Sequence, residues 1–243
     1  MVNNSLVRLY ITEPLRVDST LTLTRAQSHY LINVMRIRNG DELLMFNGVD
    51  GEWKVTITDA NKKHTVVSVD NQTLPQIDEP DVWLLFAPIK KDRTDFIIEK
   101  ATELGVSKIM PVITERTQNS RVNIERLQAT AVEATEQSRR LSVPDFEDIQ
   151  PLLLVLENWP SSRRLIYLDE TGNGQPLAQV LQGKTDSLAF VIGPEGGFSP
   201  SELDAMGKLT FSVGADLGPR ILRAETAVVA ALAIRQAVKD MSK

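Results

Sequence analysis

Residues Leu217–Leu232 read LGPRILRAETAVVAAL: a Gly-Pro turn, two arginines and a Glu-Thr pair run directly into small apolar residues. Gly218 and Pro219 restrict the backbone in opposite senses, one permissive and one locked, which suits a loop held in a fixed path. The run from Ala224 to Ala233 has few polar residues, so it predicts a helix buried on nearly every face. Charged turn chemistry entering a buried helix implies a loop held in place for a purpose. A second such loop, Ile192–Glu202 (IGPEGGFSPSE), also follows an apolar run. Two rigid Gly-Pro loops suggest the walls of one ligand site. Leu168–Gly172 (LDETG) ends another apolar run and is a candidate third wall. In open α/β sheets ligands sit beyond the carboxyl ends of the strands, where all three loops fall.

Working outward, short apolar strands are expected at Val82–Pro88, Ile109–Ile113, Leu165–Leu168, Ala189–Ile192 and Leu209–Val213. Helices are expected from an Asp92 cap to Leu104, over Ile124–Leu141 and after the Ser199-Pro200-Ser201-Glu202 capping box. Strands alternating with helices imply a mostly parallel α/β sheet. The first 75 or so residues differ. Leu21–Leu23, Asp41–Phe46, Trp53–Ile57 and Thr65–Val69 read as short strands between turn signals, with Gly48 and Gly51 bracketing a tight turn. This predicts a small β-barrel with one helix at Ser28–Met35. Leu74–Pro80, with prolines at 75 and 80, reads as the linker. The expected division is residues 1–74 and 75–243.

Composition narrows the chemistry. The 243 residues contain no cysteine and two histidines, His29 and His64. Disulfides, Cys-based zinc sites and thiol nucleophiles are excluded, and a metal site or Ser-His-Asp triad is poorly supplied. The opening MVNNSLVRLY has no basic segment followed by an apolar core, and no apolar run nears 18 residues. The expectation is a cytoplasmic protein without a membrane span. The net charge of -5 argues mildly against a nucleic-acid partner. Yet Arg8–Gly40 carries five arginines against Glu13 and Asp18, so a basic patch stays open.

The Gly193–Gly197 loop matches neither G-x-G-x-x-G nor the P-loop spacing, and Glu195 would repel a phosphate. Leu217, Ile221 and Leu222 offer backbone groups and apolar walls for a flat neutral ring. Arg223 and Glu225 could pair with each other, Thr226 could cap a helix, and His29 could simply pack. On Ile124–Leu141, helical i,i+3 and i,i+4 pairing accounts for most of Glu133, Glu136, Gln137, Arg139 and Arg140.

KKDRTDFIIEKATELGV (Lys90–Val106), EATEQSRRLSVP (Glu133–Pro144), FVIGPEGGFSPSE (Phe190–Glu202) and LGPRILRAETAVVAAL together resemble the bacterial 16S ribosomal RNA uridine-N3 methyltransferases of the SPOUT class, the RsmE family. HYLINVMRIRNGD (His29–Asp41) is similar to their N-terminal PUA-like domain. Arg8-Leu9-Tyr10-Ile11 departs mildly, with Tyr where the family usually has Phe. The resemblance implies a PUA-like RNA-binding barrel followed by a trefoil-knotted α/β domain, and a homodimer. It implies S-adenosylmethionine held by Leu168, Ile192, Gly193, Glu195, Gly196, Leu217, Ile221, Leu222 and Thr226. The implied reaction is methyl transfer to uridine N3 of 16S rRNA in the small subunit, without a metal. Arg223 would stabilise charge, Glu195 or Glu225 would act as base, and Arg8, His29, Arg36, Arg38, Lys91, Arg93 and Arg140 would guide RNA. A tRNA ribose 2′-hydroxyl as target, or an RNA-binding assembly factor without turnover, are the alternatives.

Overall fold

A computed structural model describes residues 6–182 and 187–240; residues 1–5, part of the opening stretch read above, and the C-terminal 241–243 lie outside it. The chain divides into two compact units. One runs to Asp78 and includes Thr135–Ser142; the other comprises Glu79–Ala134 and continues from Val143.

The first unit contains β1 (Arg8–Tyr10), β2 (Thr20–Thr22), α1 (Arg25–His29), β3 (Glu42–Phe46), β4 (Glu52–Asp59) and β5 (Val66–Leu74). They form one sheet in the order β1-β3-β4-β5-β2, with β1 parallel to β3 and the other pairs antiparallel. Alternation sets the inner face: Leu43 and Met45, Val55 and Ile57, and Val67 and Val69 are all buried in one core with Leu9, Ile11 and Leu31. Gly51 follows a turn in which the Asn47 side-chain oxygen Oδ1 accepts from the N–H groups of Val49 and Asp50. Gly51 has φ +79°, and a Cβ there would overlap the Leu74 carbonyl oxygen, so glycine is required.

The helix expected at Ser28–Met35 begins earlier. Thr24 caps α1 and Gln27 completes a capping box, after which Tyr30–Val34 relaxes into a π-helical turn. Arg36, at φ +59°, ends it.

The second unit is an α/β sheet. Its strands are β6 (Asp81–Phe86), β7 (Lys108–Ile113), β8 (Asp145–Phe146), β9 (Gln150–Pro151), β10 (Arg164–Leu168), β11 (Gln175–Pro176), β12 (Ser187–Ile192) and β13 (Ser212–Asp216). The order is β11-β13-β10-β12-β6-β7-β8, with β9 beside β7, and every pair is parallel. The helices are α2 (Lys91–Glu103), α3 (Ile124–Ser138), α4 (Leu152–Glu157), α5 (Leu177–Val180), α6 (Pro200–Gly207) and α7 (Ala224–Asp240).

The apolar runs are apolar because both faces are covered. Leu84, Phe86, Leu188, Phe190 and Ile192 pack in one cluster with residues of α2, α5 and α7. Their neighbours Leu85, Ala189 and Val191 pack in the other with Leu152, Leu156 and Met206. Three boundaries move from the sequence reading. Lys90, not Asp92, occupies the cap position of α2; α3 stops at Ser138, where Arg139 turns to φ +64°; and β13 starts at Ser212 rather than Leu209.

The helix after Arg223 is not buried on every side. Ala224, Ala227, Val228, Ala231 and Leu232 are buried, whereas Thr226 and Ala233 are exposed and Val229 and Ala230 half-buried. Small side chains allow either environment, so composition alone gave no polar face to mark the open side.

Candidate functional site

Strands β13, β10 and β12 are neighbours, and their carboxyl ends release the three loops singled out above. The loops enclose a cavity of about 410 Å³, within the range of small-molecule sites. Leu168, Ile192, Ala215, Ala224 and Ala227 supply an apolar lining, and Ile221, 81% exposed, stands at the mouth.

Local chemistry fixes each loop. After β10, the Asp169 carboxylate accepts from the Thr171 N–H at 2.9 Å. After β13, the Asp216 carboxylate accepts from the Gly218 N–H at 2.9 Å while Gly218 adopts φ +100°. After β12, the Gly197 N–H donates to the Pro194 carbonyl at 2.9 Å, and Gly197 sits at φ +66° directly against the Glu170 carboxylate. Ser199 caps α6 and Glu202 closes the capping box. Glu202 also accepts from the Glu115 N–H at 2.8 Å, and Arg116 donates to the Gly196 carbonyl at 2.7 Å. The segment after β7 therefore braces the β12 loop.

Charge at the lining is uneven: Asp169, Glu170, Glu195 and Asp216 face one guanidinium, Arg220. Tyr167, beneath the β10 loop, is pushed up from its ordinary phenol value by burial and by the nearby Asp169 charge.

Most of the residues expected to hold a cofactor come together here: Leu168, Ile192, Gly193, Glu195, Leu217, Ile221 and Leu222 all line the cavity. Gly196 and Thr226 do not. The Gly196 carbonyl is turned to Arg116, and Thr226 lies on the open face of α7. Arg223 is exposed and outside the lining. It occupies the turn into α7, where its carbonyl accepts from Ala227 N–H.

Glu195 and Glu225 do not pair with Arg223; both meet Arg93 of α2, at 3.3 and 3.6 Å. Arg93 is thus occupied by carboxylates. The second oxygen of Glu225 is buried without a hydrogen-bond partner.

Two residues expected at an RNA surface are interior. Arg8 donates to Glu52 at 2.7 Å and to the carbonyls of Thr135, Glu136 and Arg140, with its guanidinium 4.4 Å from the Phe46 ring centroid. It satisfies helix-end carbonyls that would otherwise be orphaned. Arg140 is buried and donates to the Ser142 carbonyl. Glu136 accepts from the Tyr10 N–H at 2.9 Å, so long-range bonds help hold this motif. His29, Arg36, Arg38 and Lys91 remain exposed.

Reading residue types alone missed Arg220, Gly197 and Arg116. Arg220 sits three residues before Arg223 in the same loop, and spacing gave no way to rank the two.

A family model described as an RNA methyltransferase domain matches residues 77–236, and one described as an RNA methyltransferase PUA domain matches residues 23–70. Fold and site thus define an RNA methyltransferase with a PUA domain. Similarity extends over nearly the full length to proteins called ribosomal RNA small subunit methyltransferase E. The Rickettsia conorii protein is 34% identical, covering 93% of each chain. The Synechocystis protein is 32% identical, over 93% of this chain and 76% of its own. A crystal structure of the Neisseria gonorrhoeae enzyme bound to S-adenosyl methionine superposes with a TM-score of 0.89 at 28% identity, covering 96% of this chain and 98% of that one. The chain belongs to the ribosomal RNA small subunit methyltransferase E family.

Proposed function

We propose that this protein methylates N3 of a uridine in 16S rRNA of the small ribosomal subunit, using S-adenosylmethionine. The observation that carries the reading is the cavity at the carboxyl ends of β13, β10 and β12 in a chain of this family. Its apolar floor suits an adenine ring, and four carboxylates against one guanidinium favour a cationic ligand such as a sulfonium. Bound there, S-adenosylmethionine supplies an electrophilic methyl that N3 takes as its proton leaves and the sulfur keeps the bonding pair.

The chain's own residues do the rest. The uridine must lose its N3 proton and have the resulting charge stabilised. Arg220, on the cavity wall, is better placed for that charge than Arg223, which would have to swing in. Glu195 lines the cavity and is the nearer candidate base; Glu225 lies behind it, and Arg93 orients both. A flipped or single-stranded uridine exposes N3 to this cavity.

The residues up to Leu74 serve as the RNA-binding domain, with His29, Arg36 and Arg38 presented around the π-helical turn, and the chain from residue 75 serves as the methyltransferase domain. β13 returns between β10 and β11, and Gly174 passes so close that a Cβ would lie 2.6 Å from the Ala215 carbonyl carbon. This fits a threaded, knotted chain. The open face of α7, formed by Thr226, Val229, Ala230 and Ala233, is suited to a second copy of this protein. Among the described residues no helix is long and apolar enough to cross a membrane, and a ribosomal RNA substrate supports a cytoplasmic enzyme.

The test is transfer from labelled S-adenosylmethionine to undermethylated small subunits, with the product nucleoside identified. N3-methyluridine is expected. A 2′-O-methyl nucleoside would replace this reading with a ribose methyltransferase, and cofactor binding without transfer to any ribosomal RNA would favour the assembly factor. Arg220→Ala is expected to cut turnover more than Arg223→Ala; the reverse order would restore Arg223 to the charge-stabilising role.

A further inference from the structure

A second cavity, of about 240 Å³, lies between the start of α2 and the segment leading into α3. Pro88, Lys91 and Thr94 form one side, and Asn119, Arg121 and Asn123 lie opposite with Val122 and Arg126. Three cationic side chains gather around one small space, where the side-chain oxygens of Asn119 and Asn123 accept from the Arg121 and Arg126 N–H groups and leave their amide N–H groups as donors. Arg126 is paired with Asp95, so its charge is shared. Lys91 and Arg121 are exposed and make no ion pair among the described residues. The 13-residue α2 has no side-chain cap at its start, so its first-turn N–H groups add to the positive potential there. Asp92 is the one acid in that turn.

This cavity is tied mechanically to the first. Arg93, two residues after Lys91, reaches Glu195 at 3.3 Å, and Arg116, three residues before Asn119, holds the Gly196 carbonyl at 2.7 Å. Residues flanking the second cavity in the chain thus contact the β12 loop that lines the first. A nucleotide whose base enters the first cavity carries a phosphodiester on each side, and a phosphate seeks fixed guanidinium and ammonium donors with open backbone N–H groups.

We infer that the Lys91–Arg121 cavity is a subsite for a backbone phosphate of the substrate RNA strand, next to the nucleotide being methylated. The inference rests on the RNA-methyltransferase reading and adds the residues that grip the strand: Lys91 and Arg121 as charge partners, Asn119 and Asn123 as hydrogen-bond donors.

The test compares the full-length protein with Arg121→Ala, Lys91→Ala and the double variant. Binding of a fluorescent single-stranded oligouridylate is followed against salt, and methyl transfer to undermethylated small subunits is measured in parallel. Each single variant is expected to weaken the strand about tenfold, the size of one charge-assisted hydrogen bond. Each should also lower the slope of log affinity against log salt by about 0.7, the value for one single-strand phosphate. Affinity for S-adenosylmethionine should stay at the parent value. Lys208→Ala, which removes a charge just past the end of α6, should leave the slope unchanged. Parent-like strand affinity and slope in the double variant would overturn the subsite even where parent transfer is normal. If inorganic phosphate binding is lost in the double variant while oligouridylate binding is not, the cavity holds a free anion instead, and the inference fails. A parent that binds the strand with the expected slope change but transfers no methyl would sink the enzymatic reading and leave the phosphate site standing.

Discussion

Gly197→Ala separates backbone strain from crowding at the wall of the first cavity. At φ +66° an alanine pays the left-handed cost of about 1 kcal/mol. Its methyl would also overlap the Glu170 carboxylate, which must leave its rotamer at a further cost of about 1 kcal/mol. Gly172 provides the reference. It lies in the preceding loop at φ +82° with nothing near a would-be Cβ, so Gly172→Ala incurs the strain alone. For a chain of this size each kcal/mol lowers Tm by about 3 °C. Gly172→Ala should therefore lose about 3 °C and Gly197→Ala about 6 °C in calorimetry. Displacing Glu170 also reshapes the lining, and S-adenosylmethionine affinity by isothermal titration should fall about tenfold, equivalent to ~1.4 kcal/mol, for Gly197→Ala. Adding Glu170→Ala to Gly197→Ala removes the overlap and should bring Tm back to the Gly172→Ala level. Equal Tm losses in the two glycine variants, or no recovery on removing Glu170, would refute the reasoning.

Three other expectations follow from the same contacts. Arg8→Ala leaves Glu52 buried without its partner and should destabilise the first unit by about 3 kcal/mol, read as faster amide exchange in β3–β5; parent-like exchange would show Arg8 to be dispensable there. Burial pushes Asp81 upward, but hydrogen bonds from Arg163 and Ser187 overcome it and hold the carboxyl below its ordinary value. Its stabilisation is therefore full above the unfolded value of about 3.9 and is lost as pH falls through the lower folded value. Asp81→Asn should flatten that acid limb of a Tm–pH curve, and an unchanged limb would assign it to other groups. Ala233→Glu places a charge on the exposed face of α7 proposed to receive a second copy; sedimentation velocity is expected to find the parent dimeric and the variant monomeric, and a variant that sediments like the parent would refute that interface.

Much of the site was legible without coordinates because it is local. Gly-Pro loops after apolar runs fall at strand ends by the chain's own periodicity, so the walls at 168–172, 192–197 and 217–222 could be named from the sequence. The Ser199-Pro200-Ser201-Glu202 start of α6 reads directly from its capping chemistry. What failed was long-range. Arg8 and Arg140 look like surface cations in sequence, yet tertiary packing turns both inward toward carbonyl groups. Glu225 looks like a partner for Arg223, yet α2 brings Arg93 to it and to Glu195. The α1 start was missed for a different reason: Thr24-x-x-Gln27 is a readable capping box that the apolar periodicity after it outweighed.

The sequence by itself determined the parallel α/β class, the family resemblance and the loops that form the cavity, because backbone restriction and hydrophobic period act over a few residues. The tertiary structure decided which charged residues meet: Arg220 rather than Arg223 lines the cavity, Arg93 pairs with two carboxylates, and Arg8 lies in the interior. A long flexible side chain settles on whichever partners the folded chain brings within a few ångströms, and those partners are far away in sequence.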